Sequence, residues 1–442
     1  MSTGKGLKRY ISNFIRADRH TDMNNLLSKV NGKTLRLIRL VGREADRRGI
    51  PAYVVGGIVR DIILNRKNYD MDFVIRGDAI SLARALAKSL NARFTAHGSF
   101  GTVSLTLPSG NRIDLAITRK ETYSHSGALP EVSPGTLDED ILRRDFTINA
   151  MAIAVNRRRF GQLIDVCGGL KDLSLKKLRI LHARSFMDDP TRITRAVRFE
   201  QRLGFQIARH TLILLKECVR KKTTQNVKPQ RHFNELKKIL CETDPVKPLT
   251  RLHRLGWVPL LPTGTKVSFA GLKQLQTSVR KLRRDPWYNK FDQWWVINFM
   301  GLIARCSERE VNDILSSVHF TKHERQCFQQ SRQIRQLGQK LTVKNLSASR
   351  IYQMLKSFTK EAIVYLRASA SQRIISRRID RFLQKDMEVR LRINGDDLKR
   401  MGMAPGHQIG KVLERVLCLK IDNKIRTRKE ELNWAELCLA KS

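Results

Sequence analysis

Asp70 and Asp72 flank Met71 in the run Asn68-Tyr69-Asp70-Met71-Asp72-Phe73-Val74-Ile75. In an extended chain successive side chains alternate, so the two carboxylates share one face while Met71 and Phe73 point to the other. Their mutual repulsion is relieved by a hard cation, and Mg²⁺, which prefers carboxylate oxygens, phosphates and water, suits such a pair. A third carboxylate, Asp114, lies in the strand-like run Arg112-Ile113-Asp114-Leu115-Ala116-Ile117 and is placed to complete a two-metal cluster. Two acids at a strand end are common without any ion, so their weight comes from what lies nearby. Upstream, Val54-Val55-Gly56-Gly57-Ile58-Val59-Arg60-Asp61 runs a strand into a Gly-Gly turn and then a helix. That geometry lets backbone N–H groups and a helix N-terminus approach phosphate closely, which makes Gly56 and Gly57, with Arg60 on the helix that follows, candidate nucleotide contacts, while a plain Gly-Gly turn is the alternative reading.

A second constellation suits base recognition. In Met187-Asp188-Asp189-Pro190-Thr191-Arg192, helical i, i+3 spacing would put Asp189 and Arg192 on one face. Arg192, Arg195, Arg198 and Arg202 then form a cationic stripe opposite Ile193, Ala196, Val197 and Leu203. An ordinary salt bridge with a solvated arginine face would have the same spacing. Base chemistry supplies the sharper reading. Cytosine and adenine offer an exocyclic amine beside a ring-nitrogen acceptor, whereas uracil and guanine offer a carbonyl beside a ring N–H. A carboxylate paired with a guanidinium would therefore accept C and A and reject U and G, while Arg195 and Arg198 hold a triphosphate.

These side chains need a scaffold. Leu35, Ile38, Val41 and Ala45 predict a helix over 33–48 that stops at Gly49. Strand patterns follow at Ala52–Val55, Met71–Ile75, Thr102–Leu107 and Ile113–Ile117, with a helix from Ile80 to Leu90 between the second and third. Residues 120–139 carry two prolines and two glycines with no period, which reads as a functional loop of about twenty residues. Beyond residue 150 strand signals nearly vanish and basic amphipathic helices dominate, with breaks at Thr243–Pro248 and Pro262–Thr265. The expected class is α+β, with a sheet-containing head followed by helices. His97, His125 and His232 read as structural or surface groups, and the aromatic cluster Trp287, Tyr288, Trp294 and Trp295 reads as core.

Together, Gly56-Gly57 and the Asp70/Asp72 pair resemble the DNA polymerase beta-like nucleotidyltransferase head of class II tRNA nucleotidyltransferases (CCA-adding enzymes) and bacterial poly(A) polymerases. Further blocks extend the resemblance. Arg143-Arg144-Asp145-Phe146-Thr147-Ile148-Asn149-Ala150-Met151-Ala152 is similar to that family's ribose and phosphate motif, which implies nucleotide contacts from Arg143, Arg144, Asp145 and Asn149. Residues 165–173 resemble the connector between head and neck, and residues 187–199 the nucleotide-selecting motif, with Asp188 where Glu is more usual. Gln230-Arg231-His232-Phe233-Asn234-Glu235-Leu236 is a weaker match to a neck-stabilising motif, and Gly395-Asp396-Asp397-Leu398 with Gly402–Gly410 resembles the tail. The implied domains are a basic extension (1–36), head (37–165), neck with the base-selecting motif (166–240), body (241–340) and a basic, tRNA-binding tail (341–442). In CCA-adding relatives the segment matching 120–139 helps switch from C to A addition.

Charge agrees with a nucleic-acid partner. The 442 residues hold 84 Lys and Arg against 41 Asp and Glu, a net +43, yet residues 51–150 carry 12 basic and 11 acidic side chains. A nearly neutral, acid-containing module on a basic body suits an enzyme that acts on an RNA end. No apolar run is long enough to span a membrane. Seven dispersed cysteines without a C-x-x-C pair argue against a zinc site or disulfide framework and for a reducing, cytoplasmic setting, with an organellar presequence as the alternative reading of the basic N-terminus. The resemblance implies two-metal phosphoryl transfer by Asp70, Asp72 and Asp114, adding CMP and AMP from CTP and ATP to a tRNA 3′ end. An A-adding enzyme, a poly(A) polymerase and an inactive RNA-binding homologue stand as alternatives.

Overall fold

The computed structural model describes residues 24–27, 30–66, 70–97, 101–261 and 268–439. Asn68 and Tyr69, most of the basic N-terminal arm, and the break at 262–265 lie outside them. The chain divides into two compact units, residues 1–235 with 251–258 and residues 236–250 with 259–442.

The first unit is built on a mixed sheet. Its strands in chain order are β1 (Ala52–Val55), β2 (Met71–Ile75), β3 (Arg93–His97), β4 (Thr102–Thr106), β5 (Arg112–Ile117), β6 (Arg119–Thr122), β7 (Glu131–Pro134), β8 (Ala152–Ala154) and β9 (Leu163–Ile164). Seven of them lie in the order β3-β4-β5-β2-β1-β8-β9. β1 is buried along its whole length because β2 and β8 flank it and helices cover the sheet. The helix Gly32–Arg47 opens on Asn31, whose side chain accepts from the Thr34 amide, and its apolar face buries Ile38, Val41 and Ala45. The helix Ala79–Leu90 buries Leu82, Ala83 and Leu86 beside β4.

Two expectations are corrected. Residues 120–139 are not an aperiodic loop: β6 and β7 pair as an antiparallel hairpin, and Thr136 then caps the helix Leu137–Leu142 through a reciprocal bond with Glu139. The strand content also continues past residue 150. β8 is only Ala-Ile-Ala, too short for a detectable period, yet all three residues are buried beside β1. Its placement is a long-range property, since the partner strand lies about a hundred residues upstream.

The second unit is helical. The helix Trp294–Leu302 is apolar nearly all round and buries Trp294, Trp295 and Phe299, with Tyr288 and Phe328 also in the interior. Tyr288, Trp294 and Trp295 are therefore core, as helical spacing suggested, whereas Trp287 is half-buried with Lys360 over its ring. Further on, the side chain of Asn394 caps the helix Gly395–Arg400, and Ile393, Leu398, Val412 and Val416 form a separate cluster.

Gly42 lies where the helix Gly32–Arg47 crosses the end of β8. A Cβ there would collide with the Val155 carbonyl, a backbone atom that cannot rotate away. Alanine would gain up to about 1 kcal/mol of helix propensity, but the collision costs about 1–3 kcal/mol or more. Gly42→Ala should therefore lower the denaturation midpoint of the first unit. Gly32→Ala, on the same helix and facing only the flexible end of Arg36, should leave it unchanged or raise it.

Candidate active site

β2 and β5 run parallel with Asp72 opposite Asp114, and β4 places Ser104 opposite Asp114 from the other side. Met71 and Phe73 are buried on the opposite face, as alternation requires. Asp70 sits exposed at the mouth of β2. Burial pushes the Asp72 carboxyl up to about 6, and the neighbouring charges of Asp114 and Asp70 push in the same direction. Asp72 and Asp114 line a cleft of about 330 Å³ with Ser104, Arg112, Arg143 and Arg144. Asp114 Oδ1 accepts from Arg112 Nε at 2.7 Å and from Ser104 Oγ at 2.6 Å. Arg112 is largely exposed, so its bond is weak competition for a bound cation. An oxygen-only donor set in which burial and neighbouring charge disfavour the ionised Asp72 suits a hard divalent ion of the Mg²⁺ type, although the three carboxylates do not all lie within 4.8 Å of one another.

The glycine turn does different work from that expected. Gly56 adopts φ 76°, and its amide donates to the Met151 carbonyl at 3.2 Å, so that N–H is not offered to a phosphate. A side chain at Gly56 would meet Arg144 Nη1 at 2.8 Å, so the glycine makes room for the arginine. Arg60 is buried. Its guanidinium grips Asp61 through two bonds of 2.9 Å, donates to Asn149 Oδ1 at 2.6 Å and lies over the Phe199 ring. It is a strut behind the site and does not reach the cleft.

Arg143 and Arg144 share Asp140, which is fully buried and lies three and four residues upstream of them on the helix Leu137–Leu142 and its cap. Burial raises the Asp140 carboxyl, and the two guanidiniums more than reverse it, holding it below the usual carboxylate range. Arg143 also donates to Glu121 on the hairpin at 2.9 Å. Asp145 is the hub of the next layer. Its Oδ1 accepts from the Phe146 amide and from Asn149 Nδ2, and its Oδ2 accepts from Arg195 Nε and Nη2 at 2.9 and 2.6 Å. Burial opposes the charge, but Arg195 and Asn149 together hold the carboxyl at about 2. Arg195 donates its remaining arm to Glu235 at 3.2 Å. Arg195 is thus a crosslink in this structure, and Arg198 is buried over the Phe199 ring, so neither presents the solvent-facing stripe that spacing suggested.

Asp189 and Arg192 are linked through the backbone, the Arg192 amide donating to the Asp189 carbonyl at 3.0 Å, but their side chains do not pair. The helix begins at Thr191, and Asp189 precedes it in extended conformation (φ −133°), so the helical i, i+3 reading is corrected. Asp189 Oδ1 takes three bonds, from the Thr191 amide and hydroxyl and from Arg231 Nη2 at 3.0 Å. The buried Arg192 donates to Ser185 Oγ and to the Arg143 carbonyl, both at 2.7 Å. Asp189 Oδ2 is left to accept, and each terminal nitrogen of Arg192 keeps a second N–H. Arg231, from the weakest of the motifs, also donates to the carbonyls of Gly127 and Ala128 at the hairpin tip. The tip is further tied by Ser126 Oγ to the Met187 carbonyl at 2.6 Å. Tyr123 beside it donates to Glu121, and burial pushes its hydroxyl upward. Sequence reasoning missed Asp140, Glu121 and Ser185. Asp140 alone had a local signal, its i, i+3 and i, i+4 spacing to two arginines. His232 is structural, buried with Nε2 against the Thr224 carbonyl and its ring edge on Trp257.

Residues 52–179 match the Poly A polymerase head domain, and residues 204–265 match a probable RNA and SrmB-binding site of polymerase A. An A-adding tRNA nucleotidyltransferase of Geobacter sulfurreducens is 33% identical over 91% of this chain, which spans 47% of that relative. A solved Thermotoga maritima CCA-adding enzyme complexed with tRNA is 31% identical with TM-score 0.70, covering 96% of this chain and 100% of its own. A CCA-adding enzyme complexed with ATP is 30% identical with TM-score 0.73 over the same shares. The sheet with its acid-bearing strands, the arginine-held hub behind it and these similarities converge: the chain belongs to the tRNA nucleotidyltransferase family that contains the CCA-adding and A-adding enzymes.

Proposed function

We propose that the protein extends the 3′ end of tRNA with CMP and AMP from CTP and ATP, releasing pyrophosphate. The observation that carries the reading is that Asp189 and Arg192, joined through the Arg192 amide and the Asp189 carbonyl at 3.0 Å, have side chains that are each oriented by other partners and do not neutralise each other. Arg231 and Thr191 aim the carboxylate, and Ser185 with the Arg143 carbonyl fixes the guanidinium. A pair held this way accepts from the amine of C or A, donates to the adjacent ring nitrogen, and meets U or G with like polarity.

The chemistry is transfer of a nucleotidyl group: the RNA 3′-hydroxyl oxygen attacks the α-phosphorus, and the bond to pyrophosphate breaks. Asp70, Asp72 and Asp114 would hold Mg²⁺, which when bound acidifies the hydroxyl and neutralises the leaving phosphates. Arg143 and Arg144 line the same cleft and contribute fixed positive charge beside the triphosphate, with Asp140 keeping their planes in place. The net +43 supplies sequence-independent attraction to the RNA backbone. A-only addition is the second reading, favoured by the likeness to the Geobacter enzyme along most of this chain. Purified protein offered tRNAs ending before CCA, before CA and before A, with one nucleotide at a time, separates the two. Addition to all three supports the full reaction, and extension of the last alone selects A-only addition.

Asp72→Ala should cut nucleotide addition by about three orders of magnitude while leaving tRNA affinity within about twofold, because affinity comes from the basic surface. Single-turnover addition and filter binding check the two halves. The dissociation constant for tRNA should also rise steeply with salt, by about tenfold or more between 50 and 200 mM.

Base choice is tested by Asp189→Ala. The ratio of kcat/KM for CTP or ATP over UTP or GTP should fall by about one to two decades, the worth of one good base contact of about 1–3 kcal/mol. An unchanged ratio at a reduced rate would mean that another group reads the base.

A further inference from the structure

His323, Cys327 and Glu361 meet in the second unit, remote in sequence from every residue assigned to the reaction. His323 and Cys327 are one turn apart on the helix Lys322–Lys340, and Glu361 lies in the first turn of the helix Lys360–Ser369. The two helices pack against each other. His323 Nε2 is 3.1 Å from Glu361 Oε2, and Cys327 Sγ is 3.6 Å from each of them. Among the described residues this is the only trio of such ligand atoms lying mutually within 4.8 Å.

The edge lengths are near those of a tetrahedral metal site. Zinc bonds of about 2.0–2.1 Å to nitrogen, 2.0–2.2 Å to carboxylate oxygen and 2.3 Å to sulfur, set at tetrahedral angles, give ligand-to-ligand edges of roughly 3.3–3.6 Å. The observed triangle is close to one face of that tetrahedron. The donor set of imidazole, thiolate and carboxylate suits Zn²⁺ and disfavours Mg²⁺ or Ca²⁺. The scaffold is held independently of any ion. Thr359 caps the helix that carries Glu361, its amide donates to Gln330 Oε1 at 2.8 Å, and Gln330 Nε2 donates to the Ser357 carbonyl at 3.0 Å. Those bonds tie the start of one helix to the middle of the other and fix the ligands in place. Cys327 and Glu361 are buried, whereas the His323 side chain is 60% exposed, so the trio is reached from solvent on the histidine side.

We propose that His323, Cys327 and Glu361 form a binding site for a zinc-class divalent cation, which clips the helix Lys322–Lys340 to the helix Lys360–Ser369. Coordination replaces the thiol proton, which is released to solvent, and the resulting thiolate and carboxylate balance the charge of the ion. Without the ion the same groups form a histidine–glutamate contact with a buried thiol.

Cobalt(II) is the probe, titrated into the chelator-treated full chain in excess Mg²⁺, which keeps the Asp70/Asp72 region occupied by a hard ion. One cobalt per chain should bind with a thiolate-to-cobalt charge-transfer band and the intense visible bands of tetrahedral geometry, and zinc should displace it. Cys327→Ser should abolish the charge-transfer band, and His323→Ala, a change at an exposed side chain, should weaken cobalt binding at least tenfold. Zinc should raise the thermal midpoint of the parent and leave that of either variant unmoved. Absence of the sulfur band in the parent, or its persistence in Cys327→Ser, overturns the proposal. If Cys327→Ser fails to fold, the His323→Ala titration decides, and unchanged affinity there overturns the site.

Discussion

A fully buried carboxylate, Asp145, is the point on which the arrangement of the first unit depends. A charge in that position would be prohibitively costly alone, and it persists because Arg195 supplies two charge-assisted bonds and Asn149 a third. Asn149 leads on to Arg60 and Asp61 on the helix after β1, and Arg195 leads on to Glu235. One ionised group therefore joins the sheet that carries Asp70 and Asp72 to the helix that follows Asp189. Removal of Arg195 would leave the Asp145 carboxylate buried without its cation, so the network holds the two halves of the site at one spacing.

The same logic operates at the hairpin. Arg231 donates at once to Asp189 and to the backbone of the hairpin tip, and Arg143 bridges Glu121 on the hairpin to Asp140 below it. The hairpin is thereby wired to both the Asp189 carboxylate and the cleft. Its side chains are tied by few but directional bonds, which position a segment without filling a core around it. The backbone of Arg143 adds a further link by accepting from Arg192, so the two arginines cannot shift separately.

Arginines thus divide into two classes by burial. Arg60 and Arg192 are interior crosslinks and Arg195 is a half-buried one, each satisfied by a carboxylate, hydroxyl or carbonyl. The cationic surface that draws RNA consists of the exposed lysines and arginines elsewhere. Composition counts both classes alike, which is why a stripe of arginine at helical spacing looked solvated when much of it is internal.

Local chemistry in the sequence determined a good deal: the helix after Asn31, the limits of β1 and β2, the burial of Met71 and Phe73 on the face opposite Asp72, and the α+β division, because each rests on a period of two or 3.6 residues or on a cap within four positions. The motifs at 54–72, 143–152 and 187–199 made the family legible as well. Tertiary structure alone decided the in-register pairing of Asp72 with Asp114, the insertion of the three-residue β8 beside β1, and the diversion of Gly56, Arg60 and Arg195 to internal bonds. It also brought together His323, Cys327 and Glu361, a set that cysteine spacing argued against. In each case the partner lies tens of residues or more away, and strand register and helix packing are set by burial of whole faces, which no local window of sequence contains.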